Sequence, residues 1–113
     1  MGMPKPPKQM CFDSFEYRKY LGENDWSQPE YAEPITIEHC RIDRGAVFTS
    51  TTSGKQLLYN AVIFCYKGIT TPLPEFEAQS KLVFDGVEHT VTRVIPVYEA
   101  YEPVIYSYEL EVV

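Results

Sequence analysis

No apolar run in this sequence approaches the roughly 20 residues that a bilayer-crossing helix needs. The first ten residues hold Pro4, Lys5, Pro6, Pro7 and Lys8 but no apolar segment of the kind a secretory signal carries. Neither a membrane protein nor a secreted one is expected. Cysteine is scarce: Cys11, Cys40 and Cys65 are odd in number and far apart, with no Cys-x-x-Cys and no histidine pair beside them. That excludes a disulfide framework and the usual zinc spacings, and leaves reduced thiols in a protein made in a cytoplasm. Cys65 lies inside Val62-Ile63-Phe64-Cys65-Tyr66, where a thiol acts as a small hydrophobe. Basic residues are also few. Ten Lys and Arg face 16 Asp and Glu, a net charge of −6, so tight binding to nucleic acid or to an anionic membrane is disfavoured.

Signatures of chemistry are missing as well. There is no P-loop, glycine-rich nucleotide turn, EF-hand loop or zincin motif, so no cofactor or metal is expected. The two histidines, His39 and His89, both fall in strand-like segments. His89 shares a face with Val87 and Val91 and reads as a satisfied core or interface residue. A catalytic pairing of Cys40 or Cys65 with either histidine has no local motif behind it. The carboxylates are scattered over turns and polar strand faces. No enzyme is expected.

Aromatic residues are what the sequence does have: sixteen, nine of them tyrosine, together with nine prolines and six glycines. Aromatics fit pleated, half-buried surfaces, and frequent Pro and Gly fit many turns and few helices. Cys11 to Leu21 alternates at period two, with Phe15 and Tyr17 on one face and Ser14, Glu16 and Arg18 on the other, as a half-buried strand does. Gly22 to Asp25 is turn chemistry. Pro34 to Ile42 is a second strand, and the change of phase between Ile35/Ile37 and Cys40/Ile42 predicts a bulge near Glu38-His39. Asp43 to Asn60 is a long connection with a polar, mobile tract from Thr49 to Gly54 and room for one helical turn over Lys55 to Asn60. Ala61 to Tyr66, apolar on both faces, is a central strand. After a proline-broken loop from Gly68 to Pro74 and a brief turn to Ser80, Lys81 to Phe84 and Val87 to Val97 flank Asp85-Gly86, the strongest short-range hairpin signal. Val104 to Val112 alternates as a last strand.

The fold class is therefore all-β: a small six-stranded barrel or sandwich with one long flexible loop and at most one short helical turn. Residues 1–9 form a flexible proline-rich arm and 10–113 a single domain, within which roughly 65% of the unfolded surface can be buried. That is a modest core for sixteen aromatics. Tyr98 and Tyr101, with Trp26 beside the first turn, are the residues expected to pack against a partner, since Tyr and Trp concentrate at interface cores.

The segments PKPPKQM, EYRKYLGENDW, QPEYAEPITIEHCRIDR, KLVFDGVEHTVTRVIPVYE and IYSYELEVV, spanning Pro4 to Val113, together resemble the minor capsid proteins of tailed phages of Gram-positive bacteria and their prophages. The similarity is extended and rests on no single motif. It implies a head-closure, or stopper, component of the head–tail connector: a small β-barrel assembling as a ring under the portal or adaptor, retaining DNA and docking the tail. It further implies no enzyme and no cofactor, location at the head–tail interface of the virion, connector subunits as partners on the adaptor or portal side and on the tail side, and passing contact with genomic DNA. On this resemblance the connection from Ala46 to Tyr59 would face the channel, through Phe48, Thr49, Ser50, Thr51, Thr52, Ser53, Gly54 and Lys55. Pro4, Lys5, Pro6, Pro7 and Lys8 would meet a neighbouring subunit. A tail-completion or minor shell protein is the alternative, and a single-stranded nucleic-acid-binding barrel a more distant one.

Overall fold

Phe15 and Tyr17 alternate inward from Ser14, Glu16 and Arg18 along β1 (Asp13–Arg18), as their period predicts. The computed structural model to which this strand belongs describes residues 7–113. Five further strands complete a closed barrel with β1: β4 (Ile35–Asp43), β7 (Ala61–Tyr66), β8 (Lys81–Phe84), β9 (Val87–Tyr98) and β10 (Ile105–Val112). Around the wall the order is β1-β4-β7-β10-β9-β8, and every neighbouring pair is antiparallel. Closure removes the barrel's own edges. The fold is all-β with a six-stranded barrel, as expected.

The interior is filled by Phe15, Tyr17, Ile37, Cys40, Ile42, Ala61, Ile63, Cys65, Leu82, Phe84, Val91, Leu110 and Val112. Ile37, Cys40 and Ile42 all reach it because of the anticipated bulge. Asp13 pairs with Cys40 and Ser14 with Glu38, leaving His39 as the extra residue at φ 61°. The Asp85-Gly86 turn has both residues at positive φ, 54° and 73°, as a two-residue hairpin of this hand requires.

The structure differs from the sequence expectation in three places. Cys11 to Leu21 is not one strand: β1 ends at Arg18, and Tyr20–Glu23 forms β2, which pairs with β3 (Pro29–Tyr31) as a separate hairpin. The chain turns away from the barrel at Lys19, whose carbonyl accepts the Ala32 N–H at 2.8 Å, while Ser80 Oγ accepts the Tyr20 N–H at 2.9 Å. The long connection after β4 is present, but it is folded as a hairpin of β5 (Val47–Thr51) and β6 (Gly54–Tyr59) turning at Thr52-Ser53. The helical turn expected over Lys55 to Asn60 is therefore strand. A short 3-10 turn occurs instead at Lys8–Met10. Of the expected arm, Pro4, Lys5 and Pro6 lie outside the described residues.

The connection from 67 to 80 closes one end of the barrel. It pairs with β4 through reciprocal Glu38 and Thr71 backbone bonds of 2.9 and 3.0 Å. Phe76, 7% exposed, then drops between Phe15, Tyr17 and Tyr108, with ring centroids 6.5, 5.1 and 5.3 Å away. The Tyr17 hydroxyl accepts the Glu77 N–H at 2.9 Å and meets Ser80 Oγ at 3.1 Å, so both polar ends of this plug are satisfied.

Candidate docking surfaces

Strand direction sorts the connections to two ends of the barrel. Residues 7–12, the β5–β6 hairpin and the Asp85-Gly86 turn lie where β1 starts and β4 ends. The β2–β3 hairpin and the connections 67–80 and 99–104 lie where β1 ends and β4 starts. The residues singled out from the sequence therefore do not form one patch. Pro7, Lys8 and the run from Phe48 to Lys55 belong to the first end, Trp26, Tyr98 and Tyr101 to the second.

At the first end the hairpin grows directly out of β4, and Arg44 fastens its root. The guanidinium donates to Asp85 from Nε at 2.6 Å and from Nη2 at 3.3 Å, to Asp13 Oδ1 at 3.0 Å, and to the Ile42 carbonyl at 3.3 Å. Asp13 also accepts the Ile42 N–H at 2.9 Å. The Arg44 guanidinium lies 5.7 Å from the Phe84 ring centre, and His89 stacks on Phe84 at 4.2 Å. One side chain thus ties the start of β1, the end of β4 and the β8–β9 turn together. Beyond that root, Val47, Phe48 and Leu57 are exposed, Phe48 by 55%. At the hairpin turn Thr51 Oγ1 donates to the Gly54 carbonyl at 2.7 Å, and Gly54 takes φ 126°, which favours glycine. Phe12, 80% exposed, stands at the same end.

Arg44 holds the Asp85 carboxyl below its usual range, chiefly by the hydrogen bond and then by charge. A lowered folded-state pKa means the pair stabilises the fold at neutral pH and that this contribution is lost as pH falls through the acid range. Arg44→Ala is expected to raise the Asp85 pKa in a carbon-detected NMR titration, and to lower the melting temperature by on the order of 5 °C, as a geometrically good but partly exposed ion pair should.

At the second end Trp26 is 81% exposed, yet its backbone is held. Asn24 Oδ1 accepts the N–H groups of Trp26 and Gln28 at 2.8 and 3.0 Å, and Ser27 sits at φ 58°. This side-chain-capped turn presents the indole outward. The hairpin beneath it is fixed by the Tyr20–Tyr31 ring pair at 5.9 Å, by Arg18 over Tyr31 at 5.6 Å and by Arg18 Nε donating to the Ala32 carbonyl at 3.1 Å. Tyr101 is 91% exposed in a connection closed by Glu99 N–H donating to the Val104 carbonyl, and Tyr98 beside it is half exposed.

Charge follows the same division. Connection 19–34 carries Glu23, Asp25, Glu30 and Glu33 against Lys19. Connection 67–80 adds Glu75 and Glu77 against Lys67, and 99–104 adds Glu99 and Glu102. At the opposite end Arg44 lies between Asp13 and Asp85, Asp43 stands beside it, and Lys55 is on the hairpin. The second end is thus strongly acidic, while acids and bases are close to balanced at the first.

The thiols are poor nucleophiles. Burial pushes Cys11 and Cys65 up, and it pushes Cys40 up from 9.0 to about 12. Cys40 Sγ donates to the Asp13 carbonyl at 3.3 Å. His89 is held against Phe84, its Nδ1 3.1 Å from the Val87 carbonyl oxygen, and so is not aimed at a thiol. His39 shares a shallow groove with Cys11 and Glu38, where the Cys11 thiol stays protonated. Thiols with raised folded-state pKa values leave stability intact below pH 9.0 and cost it as the unfolded chain ionises above that value. Denaturant unfolding from pH 7 upward is expected to show a decline setting in near pH 9. Cys40→Ala should flatten that decline while lowering stability at neutral pH.

A family described as Minor capsid protein matches residues 7–112 of this chain. An uncharacterized protein, ORF5, of Lactococcus phage LL-H is 29% identical over 80 residues, which cover 68% of each chain. No solved structure matches. Among the described residues no helix is long and apolar enough to cross a membrane.

Proposed function

This chain belongs to the minor capsid protein family, structural components of phage virions, and from that premise we propose that it is a head-closure component of the head–tail connector. In this reading several copies form a ring beneath the portal or adaptor, retain the packaged DNA and offer a surface to the tail. The observation that carries the reading is the two-ended barrel. Exposed apolar groups stand at both ends, Phe12 and Phe48 at one and Trp26 and Tyr101 at the other. A protein placed between two different neighbours needs two such faces, whereas a protein lying on a shell needs one.

The β5–β6 hairpin is the element proposed to reach the channel. Its Thr and Ser residues with a single Lys55 contact passing DNA without gripping it, because phosphate binding strength scales with the number of cations engaged. No covalent chemistry is required of the chain. The test is microscopy of virions in which an exposed turn of the protein carries a label. Label at one vertex, in the collar between head and tail, is the expected result. Label spread over the shell, or at the far end of the tail, would replace this reading with a shell or tail-completion role.

A further inference from the structure

We propose that a groove at the acidic end receives an apolar side chain of a partner protein whose flanking residues are arginine or lysine. The groove opens where two strands part. β7 and β10 pair as far as Tyr66 and Ser107, and the Lys67 N–H donates to the Tyr106 carbonyl at 3.1 Å as the last rung. Beyond it one chain leaves into connection 67–80 and the other arrives from 99–104. A groove of about 370 Å³ lies between them, lined by Gly68, Leu73, Val104, Ile105 and Tyr108, with Lys67 at its rim. Leu73 and Tyr108 also pack against the barrel interior, Tyr108 edge-on to Phe76, so an inserted side chain would continue the core outward. That floor asks for an apolar anchor. The walls set the charge of the anchor's neighbours. Connections 67–80 and 99–104 carry Glu75, Glu77, Glu99 and Glu102 against one base, Lys67. Burial first, then the Glu75 carboxylate and Tyr98, hold the Tyr108 hydroxyl above its usual pKa, as groups beside the groove floor should. Tyr98, 52% exposed, and Tyr101, 91% exposed, offer ring faces to a guanidinium. Phosphate backbones and anionic lipids are repelled by the same acids, so a cationic protein segment is the occupant that fits both floor and walls. The proposal rests on the connector reading only for the partner's identity as the neighbour at this end, and not for the groove itself.

The test adds a capped pentapeptide, Gly-Arg-Leu-Arg-Gly, to the full chain and follows its amide and methyl NMR signals. Shifts are expected at Leu73, Val104, Ile105 and Tyr108, saturating at millimolar peptide and weakening as salt rises. Replacing the peptide's leucine by serine should cost roughly tenfold or more in affinity, the worth of burying one large apolar side chain. Replacing its arginines by glutamate should abolish binding. In the protein, Val104→Lys, and separately Glu75→Lys with Glu102→Lys, should each weaken binding roughly tenfold. The melting curve should stay in place, because all three side chains are exposed. No shifts at millimolar peptide, equal shifts with the leucine and serine peptides, or shifts outside the groove would overturn the proposal. If the peptide fails while heads lacking the protein leak DNA, the groove proposal fails and the connector reading stands. Peptide binding in the groove, together with sealed and tailed heads in the protein's absence, keeps the groove and removes the connector reading.

Discussion

Phe76→Ala is expected to lower the free energy of unfolding by about 3–5 kcal/mol, the range for removing a buried phenylalanine. In a domain of this size that is a drop in melting temperature of roughly 15–25 °C. The size follows from where the ring sits. Phe76 comes from a connection, not from a strand, and it is the buried hydrophobic side chain that connection adds to the interior cluster, with partly buried Leu73 packed against it. Its ring meets Tyr17 and Tyr108 edge-on at interplanar angles of 78° and Phe15 at a tilt of 37°. Removing it leaves a cavity bounded by three aromatics whose own positions are fixed by strands, so collapse into the space is limited. The connection also loses the anchor that holds the Glu77 N–H over the Tyr17 hydroxyl. Thermal melts of the two proteins check this. A loss below 1 kcal/mol would mean that residues 67–80 do not close the barrel.

Trp26→Ala should act in the opposite sense, with almost no effect on stability and a large effect on assembly. The indole is solvated, and the turn beneath it is held by Asn24 through backbone N–H groups that alanine retains. Melting should shift by a degree or so. As the largest exposed side chain at the acidic end, Trp26 is the natural anchor of that docking face, and truncating such an anchor costs about 2 kcal/mol or more, roughly thirty-fold in affinity. Complementation of a phage lacking the protein, scored as the fraction of heads that carry tails, is the measurement. Full tailing with the variant would remove Trp26 from the interface.

The barrel was legible because its strands obey period two and its closing hairpin carries Asp85-Gly86. Even the bulge at His39 showed as a change of phase between Ile37 and Cys40. The two small hairpins were not legible, for a physical reason. Pro29–Tyr31 is only three residues long, and β5 and β6 meet across a Thr/Ser tract with no apolar alternation to mark it as strand. Pairing with each other, and not burial, makes them strands. Phe76 was hidden among Pro72, Pro74 and acidic neighbours that read as loop. The Asp13, Arg44 and Asp85 contact joins residues far apart in the chain and has no local pattern. Trp26, Tyr98 and Tyr101 were recognisable as interface residues, but their segregation from Phe48 and Lys55 depends on strand order, which no local pattern encodes.

The central claim is that this barrel closes the head and receives the tail. Purified heads from a phage lacking the protein test it most directly, by their DNA content after nuclease treatment and by their ability to accept tails. The account predicts heads that package DNA, then lose it, take up no tails, and recover both properties when the purified protein is added back. Stable, filled and normally tailed particles formed without the protein would contradict it.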